Sequence, residues 1–309
     1  MNEASDFKSI TSFPRQYGRN PGVAVAGADD EAVLGAVAAG LSAGVDFLLV
    51  GNEEKIRETA EHHRIDIHKA VLVDSGDSDE AGICRKAAVL CAEGEAAVLM
   101  KGLVGTAAFS RAVLDRDIGL TGSGSLLSHI GLFSHPGNGK VFMITDAAIN
   151  ILPDIDAKKK ILSNIVGVAR ALGIEEPRIA LLAPVEKVSP KIQSTVDAAE
   201  LKKWLNSAAL GRVVADGPFA LDVAASEEAA RTKGIESPVA GRADIYFLPN
   251  LDAGNVLYKS LTVFSGALSA GILSGARVPV VLTSRSDTED VKIASLGLAL
   301  KVASGKESS

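Results

Sequence analysis

A serine, an arginine and three carboxylates stand within one short stretch, Ser284-Arg285-Ser286-Asp287-Thr288-Glu289-Asp290. Arg and Ser side chains bind phosphate oxygens through charge-assisted hydrogen bonds, and a neighbouring carboxylate can accept a proton. The stretch follows the apolar run Pro279-Val-Val-Leu-Thr283 and precedes a helical pattern. Ligands of open α/β sheets bind beyond the carboxyl ends of strands, where helix N-termini offer N–H groups. Ser286 and Glu289 also have capping-box spacing, so the same residues fit a plain helix cap.

A second candidate is Lys101-Gly102-Leu-Val-Gly105-Thr106-Ala-Ala-Phe-Ser110-Arg111. Its glycines would let backbone approach a ligand closely, and Thr106 reads as a helix N-cap, with Arg111 about a turn and a half beyond. A tight strand-to-helix turn with an exposed arginine fits the same residues. Asp146-Ala-Ala-Ile-Asn150, before Pro153, has the residue types of a turn. In Pro249-Asn250-Leu-Asp252-Ala253-Gly254-Asn255-Val-Leu-Tyr258-Lys259, Asn250 or Asp252 suits a cap, and Asn255 and Lys259 share a helix face. His62, His63 and His68 read as surface residues without zinc spacing. His129 and His135 flank a turn. Gly-x-Ser-x-Gly, a Cys–His pair and the dinucleotide fingerprint are absent.

The elements that position these residues alternate. Strands are expected at Gly22–Ala26, Asp46–Val50, Ala70–Val73 and Ala97–Met100, with helices at Asp29–Ser42, Glu53–His63, Ser78–Cys91 and Thr106–Leu114. Such a βαβα rhythm predicts a parallel sheet covered by helices. Ser128–Phe133 and Lys140–Thr145, joined by His135-Pro-Gly-Asn-Gly139, predict an antiparallel hairpin. A helix follows over 154–172, capped by Asp154 or Asp156 and ended by Gly173. Further strands are expected at Arg178–Ala183, Arg212–Asp216, Asp244–Leu248 and Val278–Thr283. Helices are expected at Ser194–Ser207, Ser226–Lys233, Asp252–Ala270 and Asp287–Val302.

The chain has 309 residues, enough for two domains, and is 47% apolar with only 4% aromatic residues. A net charge of −6 leaves no basic stripe for nucleic acid, while a small polyanion fits a few converging cations. Cys84 and Cys91 fall roughly 10 Å apart on one helix, beyond disulfide reach, and read as small buried residues of a reducing compartment. No apolar run reaches the roughly 18 residues of a membrane span, and Met1–Pro21 lacks a signal-peptide core. A cytoplasmic location is expected.

Taken in order, the motifs resemble the phosphate acetyl/butyryltransferase family, and specifically its phosphate butyryltransferase branch. The residues that carry the resemblance include Met100-Lys-Gly-Leu-Val, Thr106-Ala-Ala-Phe-Ser-Arg111, Leu126-Leu-Ser-His-Ile130 and Thr145-Asp-Ala-Ala-Ile-Asn150. They continue through Asp216-Gly-Pro-Phe-Ala-Leu-Asp222, Ser237-Pro-Val-Ala-Gly-Arg-Ala-Asp244, Asp252-Ala-Gly-Asn-Val-Leu-Tyr-Lys259 and Leu282-Thr-Ser-Arg285. The resemblance covers residues from about 97 to 300, and the earlier part agrees only in pattern.

The resemblance implies two α/β domains flanking a cleft, similar to the isocitrate/isopropylmalate dehydrogenase fold. Residues 1–123 and 274–309 would form one domain, and 124–273 the other. It implies interconversion of a short-chain acyl-CoA plus phosphate with acyl phosphate plus CoA, with coenzyme A as a substrate and no metal. The catalytic candidates are Ser284, Arg285 and Asp290, with Glu289 and Asp287 as alternative bases. The substrate-binding candidates are Arg111, Thr106, Lys101, Asn255 and Lys259. A family arginine without a secure match has Arg85 as its candidate. In the acetyl branch the Ser-Arg pair precedes Gly-Cys and a longer acidic turn. Here Ser286-Asp287 follows, with one residue fewer. A homo-oligomer is implied, with coupling to an acyl kinase, and the small-residue face Gly266-Ala267-Ser269-Ala270 would pack in an interface or inside the domain. Two other classes fit in part: a metal-dependent hydroxy-acid dehydrogenase, hinted at by Tyr258-Lys259, and a non-catalytic CoA- or phosphate-binding regulator.

Overall fold

A computed structural model of the chain describes residues 6–13, 22–76, 79–135, 137–207, 210–284 and 287–307. Two compact units emerge, one from residues 8–125 and 270–309, the other built on residues 126–269.

The first unit opens with a short helix, α1 (Phe7–Thr11), and then alternates strand and helix. It runs β1 (Gly22–Ala26), α2 (Glu31–Ser42), β2 (Phe47–Val50), α3 (Glu53–His63), β3 (Val71–Val73), α4 (Glu80–Ala92), β4 (Ala96–Lys101) and α5 (Thr106–Leu114). Three helices start where a side chain takes up a free N–H of the first turn. Asp30, Asn52 and Asp79 accept from Val33, Lys55 and Gly82 at 3.0, 2.9 and 2.7 Å. β1 is buried throughout and pairs in parallel with β2 on one side and β4 on the other. Its all-apolar sequence suits a strand covered on both faces.

The second unit contains β5 (Ser128–Ser134), β6 (Val141–Thr145), α6 (Ile155–Ala171), β7 (Arg178–Leu182), α7 (Gln193–Asn206), β8 (Val214–Phe219), α8 (Leu221–Ala225), α9 (Glu227–Thr232), β9 (Ile245–Phe247) and α10 (Leu251–Val263). β5 and β6 form the expected antiparallel hairpin, and the strands follow the order β5-β6-β9-β7-β8. Asp154 caps α6, and Gly173, at φ 84°, ends it. The core gathers several of the few aromatics: Phe133 stacks on Phe142 at 5.8 Å, with Phe219 and Tyr246 in the same cluster.

The chain then returns to the first unit through β10 (Ser269–Ser274), β11 (Val280–Val281) and α11 (Glu289–Glu307). Here the expected helix over 252–270 is wrong. α10 stops at Val263, Gly266 turns the chain at φ 61°, and 269–274 is a fully buried strand. The proposed small-residue helix face therefore does not exist, because its residues straddle a turn and a strand. Small residues fit both periodicities, and the positive-φ glycine decides. In the first unit the strand order is β3-β2-β1-β4-β11-β10, with β11 parallel to β4 and antiparallel to β10. Among the described residues no helix is long and apolar enough to cross a membrane.

Candidate active site

Register builds the site. β11 pairs Val280 with Leu99 and Val281 with Met100, while β1 pairs Ala26 with Lys101. Three parallel strands thus end together, and the residues just past them, Gly27, Gly102 and Leu282 to Ser284, emerge on one edge. The turn after β4 is pressed onto the end of β1: Gly102 N–H donates to Ala26 O at 2.9 Å and Leu103 N–H to Gly27 O at 2.6 Å. A Cβ on Gly102 would lie 2.0 Å from Gly27 O, so only glycine fits. The glycine serves backbone packing.

At this edge Lys101, Thr283, Ser284, Asp30 and Lys292 line a pocket of about 20 Å³. That is room for one water-sized group, such as a single oxygen of a larger ligand. Lys101 is 5% exposed and its ammonium donates to Gly102 O at 3.1 Å. Lys292 is 4% exposed and donates to Asp287 O at 2.6 Å. The one carboxylate on the pocket wall, Asp30, is engaged as the α2 cap. Two lysine ammonium groups on one small pocket favour a negatively charged ligand.

The acidic stretch separates into distinct roles. Asp287 closes a turn: its carboxylate accepts from Ser284 N–H at 2.7 Å, and its own N–H donates to Ser284 O at 3.1 Å. Thr288 caps α11, its hydroxyl accepting from Val291 N–H at 3.4 Å. The Glu289 carboxyl lies against Gly35 of α2, within 2.6 Å of where a Cβ would stand. Asp290 is exposed in the first turn of α11. Arg285 and Ser286, and with Ser286 the expected capping box, lie outside the described residues.

Thr106 and Arg111 are exposed on α5, outside the lining of this pocket. Thr106 is not the cap that its type suggested. Gly105 occupies that position without a side-chain bond, and its N–H donates instead to Glu80 Oε2 at 3.0 Å. Arg85 pairs with Asp115 at 2.5 Å on the surface, tying α4 to the end of α5. A larger cleft of about 490 Å³ lies past β1, β2 and β3, but Asp29, Asp74 and Glu80 on its walls oppose an anion.

Asn255 and Lys259 belong to the second unit. Asn255 donates to Ala147 O at 3.2 Å, and the Lys259 ammonium lies 5.7 Å from the Tyr258 ring centre. Asp146 is a turn former: its carboxylate accepts from the N–H groups of Ala148, Ile149 and Asn150 and from the Asn150 side chain. His129 is buried edge-on to Tyr258 at 5.5 Å, whereas His62, His63, His68 and His135 are exposed. Burial pushes the Cys84 and Cys91 thiols up to about 11 and about 12, values of unreactive packing residues. Among the described residues no cluster of three or more His, Cys, Asp or Glu could hold a metal ion.

Sequence reasoning missed Lys292. It lies on a helix stripe with the buried residues Ser295, Leu296 and Ala299, at spacings of three, four and seven. A lysine on an otherwise buried stripe was the available signal.

Parallel strands covered by helices, with a small pocket lined by two lysines where they end, define an α/β protein with its candidate site at the strand ends. The chain belongs to the phosphate acetyl/butaryl transferase family, whose model matches residues 80–299. It is 44% identical to a phosphate butyryltransferase of Clostridium beijerinckii over 282 residues, 91% of this chain and 92% of the relative. It is 42% identical to a phosphate acetyltransferase of Rhizobium meliloti over 271 residues, covering 88% and 85% of the two chains. In structure it is similar to a branched-chain phosphotransacylase from Enterococcus faecalis V583, with a TM-score of 0.81 and 35% identity over 91% and 98% of the two chains.

Proposed function

We infer that this chain is an acyl-CoA:phosphate acyltransferase for short-chain acyl groups, with butyryl preferred and acetyl as the alternative. Toward acyl-CoA, the CoA thiol gives its proton to Asp290 and its sulfur attacks the acyl carbon of an acyl phosphate. The carbon–oxygen bond to phosphate then breaks and phosphate leaves with the electron pair. In reverse, a phosphate oxygen attacks the thioester carbon and the departing CoA sulfur regains the proton. Ser284 and Lys101 meet the oxyanion or phosphoryl oxygens, which need donors and positive charge as the tetrahedral state forms. Arg285 and Arg111 hold the phosphoryl group, while Thr106, Asn255 and Lys259 bind the rest of the substrates. A base matters because a free thiol, with pKa near 8.5, is mostly protonated at neutral pH.

The observation that carries this reading is the edge where β4 and β11 end, with Lys101, Ser284 and Lys292 on one small pocket in a chain of this family. We further take the two compact units to be domains of an isocitrate/isopropylmalate dehydrogenase-like fold. An acyl kinase acting on the acyl phosphate is the natural companion reaction.

Phosphate- or arsenate-dependent loss of thioester should be measured with acetyl-, propionyl-, butyryl- and branched acyl-CoA. Butyryl or branched donors should exceed acetyl at least about tenfold in kcat/KM, a difference of about 1.4 kcal/mol. No loss with any donor would end the acyltransferase reading.

A further inference from the structure

Two lysines of this protein are equally buried, yet they are treated differently. Lys158 and Lys292 are each 4% exposed. Lys158 is ion-paired with Asp197, which Gln193 also contacts at 2.8 Å, so its charge is cancelled where it stands. Lys292 forms no ion pair among the described residues. Its ammonium bonds to the main-chain oxygen of Asp287 at 2.6 Å. Two carboxylates beside it are engaged elsewhere: Asp287 accepts from Ser284 N–H, and Asp30 accepts from Val33 N–H. With no carboxylate paired to it among the described residues, this buried ammonium favours an anion beside it.

Position gives that charge a use. Lys292 lines the same pocket as Lys101, Thr283 and Ser284. By gripping Asp287 O it also braces the turn whose carboxylate holds Ser284 N–H. One side chain therefore fixes the Ser284 turn from the helix side and places a second cation beside Lys101. We infer that Lys292 is a positioning residue for the phosphate side of the reaction, orienting the Ser284 turn and charging the pocket that receives a phosphoryl oxygen. The assignment rests on the acyltransferase reading and adds to it a residue outside the strand-end motif.

Lys292→Met keeps the apolar stem and removes the charge, and Lys292→Arg restores it. In the acyl-CoA plus phosphate direction, Lys292→Met should raise KM for phosphate at least about tenfold while KM for acyl-CoA stays within about twofold. Lys292→Arg should recover most of the loss. Inorganic phosphate should raise the thermal midpoint of the unaltered protein and of Lys292→Arg, but not of Lys292→Met. If Lys292→Met does not fold, Lys292→Gln, which still has a donor for Asp287 O, tests the charge alone by the same measurements. A folded neutral variant with an unchanged phosphate KM overturns the inference. So do equal rises in both KM values without rescue by arginine, which would mark a structural role. Failure of the parent reading is distinct: the unaltered protein would consume no thioester, while the phosphate-dependent thermal shift would still judge Lys292.

Discussion

Ser284 and Asp287 hold each other through two hydrogen bonds, so Asp287 is a poor partner for a moving proton. Glu289 is turned onto Gly35. Of the three carboxylates, Asp290 is the one exposed in the first turn of α11 without either engagement. Asp290→Asn should lower kcat at least about 100-fold, a loss within the usual span for a general base, and should remove the acidic limb of the pH–rate profile. A variant with the parental profile would reject Asp290. Arg285→Gln should likewise abolish turnover at an unaltered circular dichroism spectrum, and near-normal activity would exclude Arg285 from phosphate binding. Ser284 and Lys101 were legible in the sequence because each closes an apolar run, where α/β sheets bind ligands. Lys292 was not, since its helical spacing matched buried neighbours and only the fold shows which strand ends that stripe covers.

At the scale of elements, the site depends on how closely the turn after β4 approaches β1. The contact is backbone to backbone, so no side chain can move aside for a Cβ on Gly102, 2.0 Å from Gly27 O. Gly102→Ala should cost on the order of 2–3 kcal/mol in urea unfolding and should also raise KM for phosphate, because the pocket wall shifts. A control at Gly94, where a Cβ meets nothing within 4 Å but φ is 83°, separates backbone strain from collision. Gly94→Ala should cost about 1 kcal/mol and leave KM unchanged. The strand and helix order from β1 to β9 was readable from apolar runs and capping residues, apart from the five-residue α8. The return of the chain was harder. β10 is built of Ser, Ala, Gly, Ile and Leu, which fit the tail of α10 as well as a strand, and β11 spans only Val280–Val281. Pairing with β4, a long-range contact that no local pattern encodes, makes that short run part of the sheet.

At the scale of the whole molecule, burial displaces three described ionisable groups that are uncharged at neutral pH. Cys84, Cys91 and Tyr246 are pushed up to about 11, 12 and 12, in each case chiefly because burial disfavours the anion. The unfolded chain releases these protons first, the thiols near 9 and the tyrosine near 10. Above those values the native state holds more protons than the unfolded one, so stability falls with rising pH. Their contribution is therefore complete below about pH 9 and is lost as the pH climbs toward 11–12. Between pH 9 and 10.5 the Cys91 thiol alone should remove about 1.6 kcal/mol, below the limiting 1.36 kcal/mol per unit because only half of the unfolded thiol is ionised at pH 9. Urea midpoints should stay level from pH 7 to 8.5 and drop steeply by pH 10.5. Cys91→Ala should begin from a lower midpoint, because a packed side chain is lost, yet decline less over the alkaline range. A decline as steep as that of the unaltered protein would mean that Cys91 ionises as readily folded as unfolded, against its burial in α4.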